Sequence, residues 1–164
     1  MNRNIHFYEP NDAYGFLSNF FRAPININGT IWKTSEHYYQ AQKFTDKTII
    51  ETIQNCATPD IAFSLSRQYC EYVREDWNNI RLDVMRFIVE EKFKQNPTLA
   101  FLLLETGDVT ITEHSHKDSF WGDGGNGKGE NQLGKILMAV REKLSLQEPY
   151  SPIHLVDKAQ LSTR

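Results

Sequence analysis

The sequence predicts a mainly α-helical domain with a small antiparallel β-sheet, an α+β fold in one compact unit. Three observations carry this. Segments with apolar residues at helical spacing outnumber and outlast those that alternate apolar and polar. An Asn28-Gly29 pair between two short alternating runs signals a tight hairpin. No strand–helix–strand rhythm suggests a parallel sheet. The 164 residues, 40% hydrophobic and 12% aromatic, suffice to bury a core. We read one domain over residues 1–148 and a loosely ordered tail over 149–164, because periodicity ends at Pro149.

In chain order, Ile5 to Tyr8 is a short strand and Glu9 to Gly15 a polar link. Phe16 to Phe21 is dense in aromatics yet carries Ser18 and Asn19 at its centre. Ile25 to Trp32 forms the hairpin. A helix begins at Thr34 or Ser35, either of which supplies a capping oxygen, and runs to Phe44. Asp46 to Cys56 is a second helix with Ile49, Ile50 and Ile53 on one side. Pro59 opens a third, reaching about Leu65. Trp77 to Lys94 is the strongest helix, with Ile80, Val84, Phe87, Ile88 and Phe93 as its expected buried stripe. Asn96-Pro97 ends it. Leu99 to Leu104 is apolar and helical, closed by Gly107. Val109 to Glu113 alternates like a strand. The last helix spans Asn131 to Leu146, with Leu133, Ile136, Leu137, Val140 and Leu144 inward.

The net charge of -3 provides no bulk attraction to nucleic acid, so any contact with it is local. Cys56 and Cys70 sit in no CxxC or Cys/His spacing, which predicts neither a zinc site nor a disulfide and suits a reducing compartment. The first residues lack the apolar run of a signal peptide, and no segment has the apolar length of a membrane span. A soluble, cytoplasmic protein is expected.

Two stretches concentrate chemistry. Glu36, Gln40 and Lys43 share one face of the helix after the hairpin. Glu36 and Lys43 lie seven apart, nearly two turns at about 3.6 residues per turn. An acid, an amide and an amine flanked by Trp32 and Tyr39 suggest a site for a small polar molecule. A solvated surface ion pair gives the same spacing. The second stretch runs from Glu113 to Asn131. Gly122, Gly124, Gly125, Gly127 and Gly129 are five of the nine glycines and lead into a helix, an arrangement that suits phosphate. No GK[ST] closes it, and a tight turn is the other reading. Asp118 beside Trp121 can orient a sugar hydroxyl. His114 and His116 lack further nearby ligands in the sequence and read as surface polar structure, so no metal site is expected.

These motifs together resemble the NADAR family, named for its association with NAD and ADP-ribose. The resemblance rests on Phe7-Tyr8, Tyr14 to Phe20, and Trp32-x-Thr34-Ser35-Glu36-His37-Tyr38-x-Gln40-Ala41-x-Lys43-Phe44. Trp77, Met85, Trp121 to Gly125, Gly127 to Gly129, Asn131 and Leu133-Gly134 complete it. It implies a compact, mostly helical domain and N-glycosidase chemistry. The bond cleaved joins ribose C1 to an exocyclic amine, either in ADP-ribosyl-guanine of nucleic acid or in phosphoribosylamino-pyrimidine intermediates of riboflavin synthesis. The implied partners are a small ribosyl or ADP-ribosyl substrate or an ADP-ribosylated DNA or RNA base, with no cofactor and no membrane.

In that frame Lys43 is the nucleophile of a Schiff-base route and Glu36 its proton shuttle. Asp118 holds ribose hydroxyls or shares the acid–base work. Trp77 and Trp121 wall the base and sugar. Ser18 and Asn19 bond ligand edges, with Gln40 beside the catalytic pair, and the loop of Gly122, Gly124, Gly125 and Gly127 receives phosphate. Trp77 reads equally as core, Ser18 and Asn19 as a satisfied buried turn, and Trp32 as core. A free lysine near pKa 10.4 is almost wholly protonated, so Lys43 needs burial or a cationic neighbour and should face a cleft near Asp118 and Trp121. A non-catalytic module binding ADP-ribose or a nucleotide is the alternative function.

Overall fold

The computed structural model describes residues 4–147. Among them lie four strands, β1 (Asn4–Phe7), β2 (Ile25–Ile27), β3 (Thr30–Trp32) and β4 (Thr110–Glu113). Six helices accompany them: α1 (Ser35–Ala41), α2 (Lys47–Asn55), α3 (Pro59–Gln68), α4 (Trp77–Gln95), α5 (Pro97–Glu105) and α6 (Gln132–Ser145). The expected mainly helical α+β fold is borne out. The tail expected over 149–164 lies outside the described residues.

The β2–β3 hairpin is antiparallel and turns where the sequence demands. Asn28 and Gly29 both take positive φ, 51° and 88°. Asn26 Oδ1 accepts the Gly29 N–H at 2.8 Å. The second pair differs from expectation. β1 and β4 run parallel, from Asn4 opposite Thr110 to Phe7 opposite Glu113. A parallel pair needs a long crossover, and here α1 to α5 supply it. No local pattern announces such a pairing.

The helix starts follow their caps. Thr34 Oγ1 accepts the His37 N–H at 3.2 Å and meets His37 Nδ1 at 2.8 Å, while His37 Nε2 lies 3.2 Å from the Cys56 carbonyl. With Nε2–H donating to Cys56, Nδ1 accepts from the Thr34 hydroxyl. Burial lowers the His37 pKa and favours this neutral form. The cap therefore also ties the start of α1 to the end of α2. Asp46 caps α2 through Thr48 and Ile49, and Thr58 caps α3 ahead of Pro59. α3 continues to Gln68, three residues past the expected end.

α1 is wedged between two apolar clusters. On one side Tyr39 joins the main core of Ile5, Phe7, Leu17, Trp77, Met85, Ile88, Phe93, Leu103, Ile111 and Leu137. On the other, Ala41 packs with Trp32, Phe44, Ile49, Ile53 and Ala62. Trp32 is thus the core residue expected of it. A helix buried on two faces carries its polar residues inside, which is why Glu36 and Gln40 are buried.

The buried face of α4 is rotated from the expected stripe. Met85, Ile88, Val89 and Phe93 are inside, Ile80 and Val84 only half so, and Phe87 is exposed. Lys92 also faces inward, donating to the Phe16 carbonyl at 2.6 Å and the Ser18 carbonyl at 2.9 Å. Burial depresses its pKa to about 7. Its ammonium clamps the loop that delivers Ser18 and Asn19.

At the start of α6, Asn131 takes a positive φ of 50° and bonds the edge of β4. Its Oδ1 accepts the Glu113 N–H at 3.0 Å and its Nδ2 donates to the Ile111 carbonyl at 2.9 Å. Gly134 permits this docking, since a Cβ there would stand 2.2 Å from the Ile111 oxygen. Inside a helix Gly→Ala ordinarily stabilises by about 1 kcal/mol. Here overlap wins, and Gly134→Ala should destabilise by about 1–3 kcal/mol, read as a lowered melting temperature. An unchanged or raised value would refute the steric account.

Candidate active site

Lys43 sits just beyond α1 rather than on it. The helix ends at Ala41, and a turn follows in which Lys43 N–H donates to the Gln40 carbonyl at 3.3 Å. Its own carbonyl accepts from Arg74 N–H at 2.8 Å, fixing the backbone. The side chain is half-buried, with Nζ 5.7 Å from the Tyr39 ring centroid and 5.9 Å from that of Trp77. Burial lowers the amine's pKa, the Glu36 charge opposes that, and the Arg67 charge adds to it. Both devices named from the sequence, burial and a cationic neighbour, are therefore present.

Glu36, in the first turn of α1, is only 6% exposed. Gln40, one turn on, donates from Nε2 to Glu36 Oε1 at 2.5 Å. Burial pushes the Glu36 carboxyl up to about 7, against the lowering pull of Gln40 and Lys43. A group poised there holds and releases a proton at neutral pH.

A second raised carboxyl, Glu113 at the end of β4, has no counterpart in the sequence reading. Burial, followed by the charges of Asp118, Glu36 and Asp123, pushes it up to about 8. The signal was present, because Glu113 shares the inward phase of β4 with Ile111. Asp118 closes a turn, its Oδ1 accepting from Phe120 N–H at 2.9 Å and Trp121 N–H at 2.8 Å. It lies close enough for its charge to disfavour ionisation of both Glu36 and Glu113.

The walls are aromatic. Tyr39 stacks obliquely on Trp77 at 5.1 Å and meets Trp121 edge-on at 5.6 Å. Trp121 meets Phe120 edge-on at 4.8 Å. Lys43 lies against Tyr39 and Trp77, and Trp121 reaches the same Tyr39 ring. Trp77 is thus both a core residue and a wall of the site.

Ser18 and Asn19 are both buried. Ser18 Oγ accepts the Phe20 N–H at 3.1 Å, closing its own turn. Asn19 uses its carbonyl for the Glu36 N–H at 3.1 Å and its Nδ2 for Met85 Sδ at 3.2 Å. Among the described residues Asn19 Oδ1, Ser35 Oγ, Gln40 Oε1 and Glu113 Oε2 are buried without a hydrogen-bond partner. Each belongs to a residue bonded to Glu36, beside it in the chain or coupled to its charge. Buried polar atoms are normally paired, so the unpartnered Oε1 of Gln40, whose amide nitrogen bonds the Glu36 carboxyl, and the unpartnered Oε2 of Glu113, whose charge couples to it, suit a polar ligand.

The glycine loop is largely closed on itself. Gly124 N–H donates to the Asp118 carbonyl at 3.0 Å, Gly125 N–H to Asp123 Oδ1 at 2.8 Å, and Gly129 N–H to the Asp123 carbonyl at 2.8 Å. The first amides of α6, Gln132 and Leu133, donate to the carbonyls of Phe120 and Trp121. Of the glycines expected to receive phosphate, Gly122 and Gly127 keep amides without an acceptor among the described residues. The α6 amides fix the backbone of Phe120 and Trp121, the rings that meet next to Tyr39. On the other side of β4, His114 Nδ1 meets Asp123 Oδ2 at 2.8 Å. With His6 they bring three potential metal-ligand atoms within 4.8 Å of one another.

A family model described as the NADAR domain matches residues 6–145. A riboflavin biosynthesis protein of Vibrio vulnificus (strain YJ016) is 52% identical over 164 residues. The match covers all of this chain but 45% of that protein, so the chain spans less than half its length. The N-glycosidase YbiA of Escherichia coli (strain K12) is 42% identical over 144 residues, 88% of this chain and 90% of YbiA. An N-glycosidase of Nostoc punctiforme is 45% identical over 143 residues, 85% of this chain and 92% of that protein. The NMR structure of E. coli YbiA superposes with a TM-score of 0.81 at 42% identity, covering 88% of this chain and 86% of that one. By its family-model match, its sequence and its fold, the chain belongs to the NADAR family.

Proposed function

We propose that this protein is an N-glycosidase. It hydrolyses the bond between ribose C1 and an exocyclic amine of a nitrogen heterocycle, through a Schiff base on Lys43. The observation that carries the reading is one half-buried, aromatic-walled place holding an amine lowered in pKa and a carboxyl raised to about 7. A pocket that only binds has little need of that pair.

Glu36, as the acid, gives its proton to the ribose ring oxygen as the bond between C1 and that oxygen breaks, and the exocyclic nitrogen's lone pair forms a C1=N bond. The neutral Lys43 amine adds to C1. Glu36 takes the proton of the new ammonium and passes it to the departing nitrogen. The C1–N bond to the base breaks as the lysine lone pair forms the Lys43–C1 imine. Water adds to that imine, Glu36 recovers its proton, and the carbinolamine collapses to free sugar and free amine. Asn19, Gln40 and Asp118 hold ribose hydroxyls, while Trp77 and Trp121 flank the sugar and base.

The relatives named for riboflavin biosynthesis favour a phosphoribosylamino-pyrimidine as substrate, and an oligonucleotide carrying ADP-ribosyl-guanine is the second to assay. Mass spectrometry should detect the released heterocycle from at least one of them. Release from neither, with calorimetric binding of ADP-ribose, would replace the enzyme by a binding module.

A further inference from the structure

Arg81 lies four residues after Trp77, a rise of about 6 Å along α4. Its guanidinium carbon is 3.7 Å from the centroid of Phe120, the ring that leads through Trp121 to Tyr39. The side chain is half-buried. Arg74 bonds Asp76, Arg86 bonds Asp83 and Arg141 bonds Thr106, while Arg22 and Arg67 have no side-chain hydrogen bond or ion pair among the described residues and Arg67 lies over Phe63, a ring outside the Phe120–Trp121–Tyr39 wall. Arg81 has neither an ion pair nor a hydrogen bond among the described residues. A guanidinium stacked by its face leaves its planar fork of N–H donors free at the edge, a geometry matched to phosphate. The glycine loop meanwhile spends most of its amides on itself.

We propose that Arg81 grips the phosphate ester on C5 of the bound ribose, with Phe120 holding the guanidinium flat. The inference rests on the reading of the site as one for a ribosyl substrate. Lys43 on one side of Trp77 addresses C1, and Arg81 one turn along α4 addresses the other end of the sugar. The group recognised is a phosphate ester at that carbon, as a terminal monoester or within the diphosphate of ADP-ribose.

The test measures binding, so it does not depend on turnover. Calorimetry would compare ribose, ribose 5-phosphate and ADP-ribose on the unmodified chain, Arg81→Gln and Arg81→Lys, with melting curves confirming that each folds. The unmodified chain should bind ribose 5-phosphate or ADP-ribose at least about 10-fold more tightly than ribose. Arg81→Gln should weaken the phosphorylated ligand by about 10- to 100-fold, the scale of a lost charge-assisted hydrogen bond, and leave ribose alone. Arg81→Lys should recover part of the loss, because it keeps the charge without the fork. The ligand with the larger Arg81→Gln loss identifies the phosphate form recognised. A phosphate preference that survives in Arg81→Gln, or is absent from the unmodified chain, overturns the proposal. If glycosidase activity fails while Arg81-dependent binding holds, the proposed reaction falls and this inference stands. If hydrolysis holds while Arg81→Gln discriminates against no phosphorylated ligand, only this inference falls.

Discussion

Lys43→Ala should lower kcat by at least about 10^3-fold, the scale seen when a covalent nucleophile is removed. The variant should still fold. What the structure asks of Lys43 for folding is its carbonyl, which accepts from Arg74 N–H, and alanine keeps that group. The side chain packs half-buried against Tyr39 and Trp77, so its removal should shift the melting point by only a few degrees. Lys43→Arg retains a cation against the same rings but offers no neutral amine, and should be as inactive as alanine. Sodium borohydride added during turnover should reduce the imine and leave one sugar on Lys43 in the parent protein and none in either variant. A variant with a tenth of the parent's kcat, or a trapped sugar on another residue, would end the Schiff-base reading.

What could be read from the chain was whatever is local. The Asn28-Gly29 turn, a cap at Thr34 (one of the two candidates) and Pro59 at the head of α3 are decided within a few residues, and each appears as expected; the Asp46 and Thr58 caps obey the same local rule. The stripe of Glu36 and Gln40 was legible for the same reason. Its burial was not, because that depends on two clusters assembled from distant segments around α1. The parallel pairing of β1 with β4 is likewise a long-range event with no local signal. Lys92 on α4 looks like an ordinary solvated lysine until the carbonyls of Phe16 and Ser18 arrive beside it. Glu113 and Arg81 were missed similarly, one through its inward strand phase and the other through a ring that the glycine loop delivers. That loop was read as a phosphate cradle from its glycines alone. Which amides remain free depends on Asp118 and Asp123, whose oxygens take several of them.

Glu36→Gln should cost about 10^2- to 10^4-fold in kcat, the range for losing a positioned acid–base group. It should also remove one limb of the pH profile. Glu36 and Lys43 titrate as a coupled pair, and the reactive form carries a single proton between them. The lower of the two steps falls near 7, so kcat/KM of the parent should rise as pH is raised through about 7. The upper step lies below an ordinary lysine value, because burial lowers Lys43. Glutamine cannot titrate, and the rise near 7 should vanish in the variant. The same shift has a stability consequence of definite sign. Between the ordinary carboxyl value of 4.5 and about 7 the folded state holds a proton that the unfolded state has lost, so stability falls as pH rises through that window. Above it the buried carboxylate is charged and costs the fold its full penalty. Glu36→Gln should therefore melt higher than the parent at pH 8, with a flatter dependence on pH, while being almost inactive. Activity lost with stability gained is what a strained catalytic acid produces and what a structural ion pair with Lys43 does not. A variant that melts lower at pH 8, or keeps the rise in kcat/KM near pH 7, would return Glu36 to a structural role.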